Sequence, residues 1–402
     1  MPHFRRRYAF SKLEKKLKFA RVVAVQGPRQ CGKSFLTTHF LKATHPNLKL
    51  ERFDLAETRT FASANPDLFL AERSQASPLV IDEAQKVPQI FDAIKVRVDE
   101  DPSPGRYVLL GSTEFSHQFR IQESLTGRLS RLRLYPMTVG ECCELAHKTG
   151  DLHGILFSEP RVGLESVLQM LERGGMPGIF AVRSDEEREG LFEDWVSLTC
   201  NRDIHQIPRS RLDSDLAREI LRLVATIENP IASDISKKVG SSVKVVEKHL
   251  AGLELLFVVQ RLKPHISGTG KDRYYLCDSG IARFLGASKQ RALETWILQE
   301  LSAKRALLAA PSKRRFSYYR TTKGSTLSFV VDDDNQKICL ALQALYKEKF
   351  DKRDLEIFKS FEKALARNNQ LINQIYHPVL LLSSTSQRFH DNVQIIPWGA
   401  LA

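Results

Sequence analysis

One stretch near the start of the chain, from Arg21 to Ser34, constrains the fold more than any other. After Arg21 it joins an apolar run, VVAV, to a complete G-x-x-x-x-G-K-S loop, and a segment with helical character follows. Glycine at positions 27 and 32 lets the backbone bend so that successive N–H groups converge on one anion. This order of strand, glycine loop and helix predicts a site for the phosphates of a nucleotide.

Two side chains at the end of the loop have the chemistry that a triphosphate requires. The Lys33 ammonium can reach the outer phosphates, and the Ser34 hydroxyl is placed to ligate a magnesium ion that bridges them. We therefore predict ATP and Mg²⁺ as ligands. The residues predicted to bind the nucleotide are Gly27, Pro28, Arg29, Gln30, Cys31, Gly32, Lys33, Ser34 and Phe35. For Cys31 two interpretations stay open, a redox-sensitive thiol and a small residue that fills space.

A second motif, PLVIDEAQ from Pro78 to Gln85, is a short apolar strand that ends in two adjacent carboxylates. Asp82, at the end of the strand, is predicted to hold the magnesium ion. Glu83 is predicted to orient or deprotonate the attacking water. Because the motif follows a phosphate loop, this hypothesis is favoured over an ordinary surface turn.

Two further catalytic candidates lie beyond this motif. Ser112 follows an apolar run, and a hydroxyl there can sense the terminal phosphate. Arg128 can stabilise charge on the transferring phosphoryl group, either in its own subunit or in a neighbour's. A plain surface arginine is the alternative for Arg128.

These motifs together resemble a widespread, poorly characterised prokaryotic family of AAA-type ATPases, in which an ATPase is joined to a C-terminal half of undefined function. The resemblance continues through Gly174–Gly178 (GGMPG), Asn201–Ile204 (NRDI) and Tyr274–Ile281 (YYLCDSGI), so it covers nearly the whole chain. It implies a P-loop ATPase core at residues 1–136 and a helical lid at 137–209. For Arg202 and Asp203, which match a family motif, a structural ion pair is favoured over a contact with nucleotide, with the winged-helix region or with a neighbouring subunit.

Periodicity supports the same fold class. Strand and helix signals alternate as far as residue 110, which predicts an α/β domain with a parallel sheet wrapped by helices. A last strand is predicted at Leu134–Pro136.

Residues 210–286 are predicted to form a winged helix. The predicted helices are Leu212–Ile227, Pro230–Val239 and Val243–Leu256, and the predicted strands are Val258–Pro264 and Arg273–Leu276. If this domain binds double-stranded DNA, the third helix enters the major groove, and Lys244, Lys248 and His249 read the bases. Lys271 and Arg273 would then touch phosphate. The alternative is a domain that only packs against the ATPase.

Residues 287–402 resemble nucleases of the restriction-endonuclease type but lack the clustered carboxylates that hold their metal. Glu294 occupies the expected helix position. Ser328 stands where an aspartate is expected, and Ala341 and Gln343 stand where a glutamate and a lysine are expected. Asp332–Asp334 are predicted to form a hairpin turn. The sequence therefore predicts a degenerate nuclease-like α/β domain without nuclease activity.

Charge and cysteine content restrict the class of protein further. The chain has 60 basic and 47 acidic side chains and a formal net charge of +13, which favours contact with a polyanion. A basic run before the first strand is predicted to be a solvated helix face. The six cysteines lack paired spacing, which argues against a zinc site or disulfides. No apolar run is long enough to span a membrane and no secretion signal is evident, so we expect a cytoplasmic protein.

Three functions fit this pattern. The favoured one is an ATP-hydrolysing protein that couples its nucleotide state to the winged-helix and C-terminal domains. The second is a DNA-binding switch with little ATP turnover. The third is an interaction scaffold that engages a protein partner or a second copy of the chain.

Overall fold

The computed structural model describes residues 4–115, 125, 127–147, 154, 159–207, 211–308, 313–367, 375–383 and 387–402. Its first part is an α/β unit built on a five-stranded parallel sheet in the order β2-β3-β4-β1-β5. The strands are β1 (Val22–Gln26), β2 (Lys49–Arg52), β3 (Leu79–Asp82), β4 (Tyr107–Gly111) and β5 (Leu129–Arg133). Every residue of β1, β3 and β4 is buried, as expected for central strands of a sheet covered on both faces. The predicted α/β class with a parallel sheet is confirmed.

Helices surround this sheet. They are α1 (Ala9–Leu17), α2 (Lys33–Phe35), α3 (Lys42–Thr44), α4 (Ala56–Ala64), α5 (Pro66–Ala71) and α6 (Gln89–Glu100). A π-helix at Leu36–Leu41 connects α2 to α3, so the helical segment after the loop is continuous from residue 33 to residue 44.

The last strand of the sheet was predicted at Leu134–Pro136, and this position is wrong. The strand is β5, which pairs with β1 from Val22↔Leu129 to Gln26↔Arg133. The Leu134 N–H donates to the Gln26 carbonyl at 2.7 Å, and the chain then passes beyond the end of β1. The apolar residues there are buried by packing, not by strand pairing.

The middle of the chain is mainly helical, as predicted. Its helices are α7 (Val139–Cys142), α8 (Leu164–Arg173), α9 (Pro177–Phe180) and α10 (Asp185–Asn201), and a 3-10 turn follows at Asp203–Gln206. The Thr138 hydroxyl and the Glu141 carboxylate form a capping box at the start of α7.

Three helices and a hairpin follow, close to their predicted positions. They are α11 (Ser214–Thr226), α12 (Ala232–Val239), α13 (Val243–Leu255), β6 (Val259–Pro264) and β7 (Arg273–Leu276), and α14 (Ser279–Phe284) comes next. The Ser242 hydroxyl caps α13 by accepting from the Val245 N–H at 3.3 Å.

The hairpin of β6 and β7 is part of a larger sheet. The C-terminal strands are β8 (Arg314–Arg320), β9 (Thr326–Asp333), β10 (Ile338–Ala344), β11 (Ile375–Leu382), β12 (Arg388–His390) and β13 (Val393–Pro397). They form one eight-stranded sheet in the order β12-β13-β11-β10-β9-β8-β6-β7. The junction is a parallel pairing of β6 with β8. The sheet therefore runs across the predicted domain boundary after residue 286.

Two long helices cover the two faces of this sheet. Helix α15 (Lys289–Leu307) packs Trp296 and Leu301 against one face, and α16 (Lys352–Arg367) packs Phe358 and Phe361 against the other. Among the described residues, no helix combines the length and the apolar composition needed to cross a bilayer.

Two of the three aspartates that were predicted to form a hairpin turn are strand residues. Asp332 and Asp333 end β9 and are buried. His265 Nε2 lies 3.4 Å from Asp332, and Arg314 Nε lies 2.7 Å from Asp333. Because each carboxylate has a cationic or imidazole partner, both can be buried in the strand, and the turn begins only at Asp334.

Helix α15 attaches the C-terminal part to the ATPase-like part through polar contacts. Glu300 Oε1 accepts from the Val139 N–H at 2.6 Å, and Lys12 Nζ donates to the Ala306 and Leu308 carbonyls at 2.7 Å. Burial raises the pKa of Glu300 to about 7, an effect larger than the opposing attraction of Lys304. A buried carboxylate of the C-terminal part therefore binds the backbone of the ATPase-like part.

This carboxylate gives a testable pH dependence of stability. Because the pKa is raised in the folded state, the folded chain keeps this proton up to about pH 7, whereas the unfolded chain loses it near pH 4.5. The stabilisation is therefore complete below about pH 4.5 and is lost as pH rises through about 7. Glu300→Gln keeps the acceptor for Val139 but does not ionise. We expect the variant to gain about 2 kcal/mol in unfolding free energy relative to wild type between about pH 5 and about pH 8. Urea denaturation at both values measures it, with the exposed Glu356→Gln as control. A difference independent of pH would contradict the prediction.

Candidate functional site

The phosphate loop lies between β1 and α2, at the carboxyl end of the parallel sheet. A Cβ atom added at Gly27 would lie 2.1 Å from the Leu134 carbonyl oxygen, so only glycine fits there. Gly32 has a φ of 96°, which favours glycine, and the helix begins immediately after it. Both glycines are thus explained by backbone geometry.

Lys33 is buried and its ammonium lies inside the loop. Lys33 Nζ donates to the carbonyl oxygens of Gly27 and Pro28, both at 2.9 Å. The loop therefore carries a positive charge at its centre that anionic oxygens can also engage. This position agrees with the predicted phosphate-binding role.

Ser34 and Asp82 meet at the edge of the sheet, as predicted for magnesium ligands. The Ser34 hydroxyl donates to Asp82 Oδ2 at 2.6 Å. Burial raises the pKa of the Asp82 carboxyl, and the Glu83 charge raises it further. A hydroxyl and a carboxylate are the hard oxygen donors that Mg²⁺ prefers, and it usually takes only one or two such ligands from protein. The pair fits the ion.

Glu83 is held by two side chains from this edge. The Ser112 hydroxyl donates to Glu83 Oε2 at 3.0 Å, and the Gln85 amide donates to the same oxygen. Gln85 Nε2 also lies 3.3 Å from Ser112 Oγ. The predicted catalytic residues Glu83 and Ser112 are therefore in direct contact. Gln85 was not predicted, although it stands in the same sequence motif, two residues after Glu83.

Arg128 does not lie near the loop. It precedes Leu129, which pairs with Val22 at the start of β1, whereas the loop follows Gln26 at the end of that strand. A five-residue strand separates these edges by about 13 Å. Arg128 instead pairs with Asp99, with Nε and Nη2 at 2.5 and 2.9 Å from its carboxylate oxygens. A role in its own subunit is therefore wrong, and action on a neighbouring subunit stays a prediction.

Two further loop residues, Arg29 and Cys31, contact other parts of the protein, whereas Gln30 is exposed. Arg29 donates from Nε and Nη2 to the two Asp203 oxygens at 2.6 and 2.9 Å. Trp195 Nε1 donates to the Arg29 carbonyl at 3.2 Å. Cys31 is fully buried in the core, which favours its role as a space-filling residue. The ion pair predicted for Asp203 therefore exists, and its principal partner belongs to the phosphate loop.

Arg7 supports the loop from the other side, and sequence reasoning missed it. It is only 4% exposed, and it donates to the Cys31 and Tyr135 carbonyls, both at 2.6 Å. Arg7 Nε also pairs with Glu141 at 3.1 Å. The prediction of a solvated face is wrong for this residue, because a basic run does not reveal which member meets buried acceptors.

The predicted DNA-reading residues fall into two groups. Lys244, Lys248 and Lys271 are exposed. His249 is buried, with Nε2 accepting from the Asp213 N–H at 3.0 Å and Nδ1 bonded to the Val245 carbonyl at 2.8 Å. Both ring nitrogens are engaged, so His249 as a base reader is wrong.

Arg273 is also buried and does not face solvent. Its guanidinium lies 3.7 Å from the centroid of the Tyr318 ring in β8. The predicted phosphate contact is therefore wrong for this residue. The arginine instead joins the hairpin to the C-terminal sheet.

The nuclease-like positions are only partly brought together. Ser328 Oγ lies 3.4 Å from Glu294 Oε1, and the Ser328 N–H donates to Gln343 Oε1 at 3.1 Å. Ala341 packs in the core under α16. Arg291 Nη1 lies 3.6 Å from Glu294 Oε2, so a guanidinium neutralises the carboxylate. Across the described ranges, no cluster of three or more His, Cys, Asp or Glu side chains is arranged to hold a metal.

Comparison with known proteins adds family information. Residues 20–143 match the model of an AAA domain, and residues 164–291 match that of a domain of unknown function (DUF8612). Two uncharacterized proteins, from Mycobacterium tuberculosis and Mycobacterium bovis, are each 27% identical to this chain over 345 residues, which is 81% of this chain and 71% of each relative.

The chain also resembles two solved structures of archaeal ATPases. A Walker-type ATPase of Pyrococcus abyssi has a TM-score of 0.43 and 15% identity, over 70% of this chain and 95% of that one. A signal transduction ATPase (STAND) protein of Pyrococcus horikoshii has a TM-score of 0.29 and 12% identity, over 74% of this chain and 45% of that one. The AAA-domain match, taken with the loop geometry, supports the P-loop ATPase family for residues 20–143 and supports ATP binding there.

Proposed function

We propose that this protein binds ATP with Mg²⁺, hydrolyses it, and uses its nucleotide state to change the contacts between the phosphate loop and the segments that follow the predicted ATPase core. The observation that carries the proposal is the ion pair between Arg29 and Asp203. Asp203 lies far along the chain from the phosphate loop, yet its carboxylate holds the loop residue Arg29. A nucleotide that binds the loop would therefore change the contacts of both Arg29 and Asp203.

The edge of the sheet supplies the groups for hydrolysis. Ser34 and Asp82 would hold the magnesium ion, which neutralises charge on the phosphates. Lys33 would exchange its carbonyl partners for phosphate oxygens. Glu83 would accept a proton from the attacking water or orient it, and Ser112 fixes the Glu83 carboxylate. The contacts of these five side chains support the roles proposed for them.

The coupling proposal rests on three contacts between the loop and later segments. Asp203 binds the Arg29 guanidinium, and the Trp195 indole binds the Arg29 carbonyl. Pro177 lies against Gly32, with its Cγ 3.5 Å from the place where a Cβ would stand. If the loop moves when it binds phosphate, its contacts with α9, α10 and the 3-10 turn after α10 would therefore change.

One further contact extends this path to residues beyond β7. Asp278 is fully buried and accepts from the Gly175 N–H at 2.6 Å and the Ile281 N–H at 3.1 Å. Gly175 lies two residues before Pro177. The segment that touches the loop is thereby joined to the start of α14.

Two substitutions separate binding from hydrolysis. Lys33→Ala removes the central charge of the loop, and we expect ATP affinity to fall at least about tenfold in calorimetric titration. Glu83→Gln keeps the shape of the site but not the carboxylate, so ATP should bind with wild-type affinity while steady-state phosphate release falls about a hundredfold. Unchanged ATP affinity in Lys33→Ala would contradict the site, and wild-type turnover in Glu83→Gln would remove the catalytic role of Glu83.

Asp203→Asn tests the coupling. The substitution removes the charge that neutralises Arg29, so the guanidinium becomes available to phosphate. We expect ATP affinity to increase about threefold to tenfold in calorimetric titration. The exposed Asp194→Asn, on α10, changes the same net charge away from the loop and should leave affinity unchanged. Equal affinities in Asp203→Asn and wild type would contradict competition between Asp203 and the nucleotide.

Nucleic-acid binding is a second candidate function, favoured by a group of exposed lysines. They are Lys237 and Lys238 on α12, Lys244 and Lys248 on α13, and Lys271 in the loop after β6. The loop that holds Lys271 is fixed to β8, since the Thr269 N–H donates to the Arg320 carbonyl at 3.0 Å. Because this loop packs against β8, it favours the alternative in which the domain only packs against other parts of the chain. We therefore place DNA contact second and confine it to the exposed lysines of α12 and α13, which we call the lysine face.

Anisotropy titration of fluorescent duplex DNA across a salt series tests this second candidate. If the lysine face binds phosphate, affinity falls steeply with salt, and Lys244→Glu with Lys248→Glu weakens it. Lys359→Glu with Lys363→Glu on α16 has the same charge change and spacing and serves as control. Binding unaffected by the first pair would contradict the assignment.

The same DNA tests the nuclease-like domain. With Mg²⁺ added we expect no cleavage of the DNA, and cleavage that is lost in Glu294→Gln would overturn the prediction of an inactive nuclease-like domain.

A further inference from the structure

Three aromatic rings are stacked beside the phosphate loop. The Phe35 and His39 rings lie 4.3 Å apart with an interplanar angle of 18°. The Phe4 ring lies against both, 5.4 Å from Phe35 and 4.7 Å from His39 between centroids. We call Phe4, Phe35 and His39 the ring stack.

The ring stack is next to the residues predicted to bind phosphate. Phe35 follows Ser34 directly in the chain, so its backbone belongs to the first turn after the loop. The segment that carries Phe4 also touches the loop, because Arg7 Nη1 donates to the Cys31 carbonyl at 2.6 Å. Three residues span at most about 10 Å, so Phe4 cannot lie far from the loop.

The backbone after the loop brings two of the rings together. Leu36–Leu41 form a π-helix, an irregularity that occurs often at functional sites. Phe35 directly precedes this π-helix and His39 lies within it, and their rings stack on each other. The backbone after the loop therefore places Phe35 and His39, and the N-terminal segment adds Phe4.

The rings are not buried as a core cluster would be. Phe4 is 57% exposed, and His39 is also exposed. An exposed phenylalanine ring leaves apolar area in water, which is unfavourable by itself. A flat aromatic surface at the edge of a phosphate site is suited to another flat ring.

We propose that the ring stack is the surface on which the base of the bound nucleotide lies. The inference rests on the proposed ATP binding and deepens it by naming what holds the nucleoside part. A nucleotide whose phosphates occupy the loop carries its base one ribose away from them. An aromatic surface that begins at Phe35, the residue directly after Ser34, is therefore close enough to meet the base. Stacking accepts every base because each has a π face, so the ring stack favours nucleotides over inorganic phosphates and does not select adenine.

Calorimetric titration of the full chain with Mg-ATP and with magnesium tripolyphosphate tests this inference. Phe4→Ala should weaken ATP binding about tenfold and leave tripolyphosphate binding unchanged. Phe4→Trp retains a flat ring and should bind ATP with wild-type affinity. Its added fluorescence should change with ATP and not with tripolyphosphate. The exposed Phe19→Ala, beyond the end of α1, serves as the matched control and should change neither affinity.

Two results would overturn the ring-stack inference while leaving ATP binding intact. One is wild-type ATP affinity in Phe4→Ala. The other is an equal loss for ATP and tripolyphosphate, which would show that Phe4 supports the loop and does not hold the base. A wild-type chain that binds neither ligand would instead sink the proposed function itself.

Discussion

The ion pair between Arg29 and Asp203 is the contact on which the functional account depends. A guanidinium fork engages a carboxylate and a phosphate with the same bidentate geometry. Arg29 stands in the phosphate loop, and Asp203 follows the long helix α10, 174 residues later in the chain. In the proposed function the same arginine is neutralised either by Asp203 or by the nucleotide, and the exchange of partners links the state of the loop to the position of residues 195–206.

Much of the phosphate site could be predicted because its parts come from neighbouring parallel strands. Ser34 follows β1 through the loop, Asp82 ends β3 and Ser112 follows β4, and the carboxyl ends of parallel strands share one edge of a sheet. Spacing along the chain therefore indicated proximity. The predicted position of Arg128 was wrong because this residue precedes its strand, β5, and so lies at the opposite edge of the sheet.

Other parts of the site had no local signal. Arg7 stands in a basic run that resembles a solvated surface, yet it reaches two buried carbonyls and Glu141. His249 and Arg273 are residue types that can contact DNA, and they lie in the predicted third helix and wing, but burial assigns them to packing. The pairing of β6 with β8 joins strands far apart in the chain, and only the long-range topology determines it.

Hydrogen exchange of the wild-type chain, with and without ATP and Mg²⁺, tests the central claim most directly. The account predicts that ATP changes amide protection in two places, the loop at 27–35 and the segment 195–206 that contains Trp195 and Asp203. A nucleotide effect confined to the loop, with 195–206 exchanging at the same rate in both states, would contradict coupling through this ion pair.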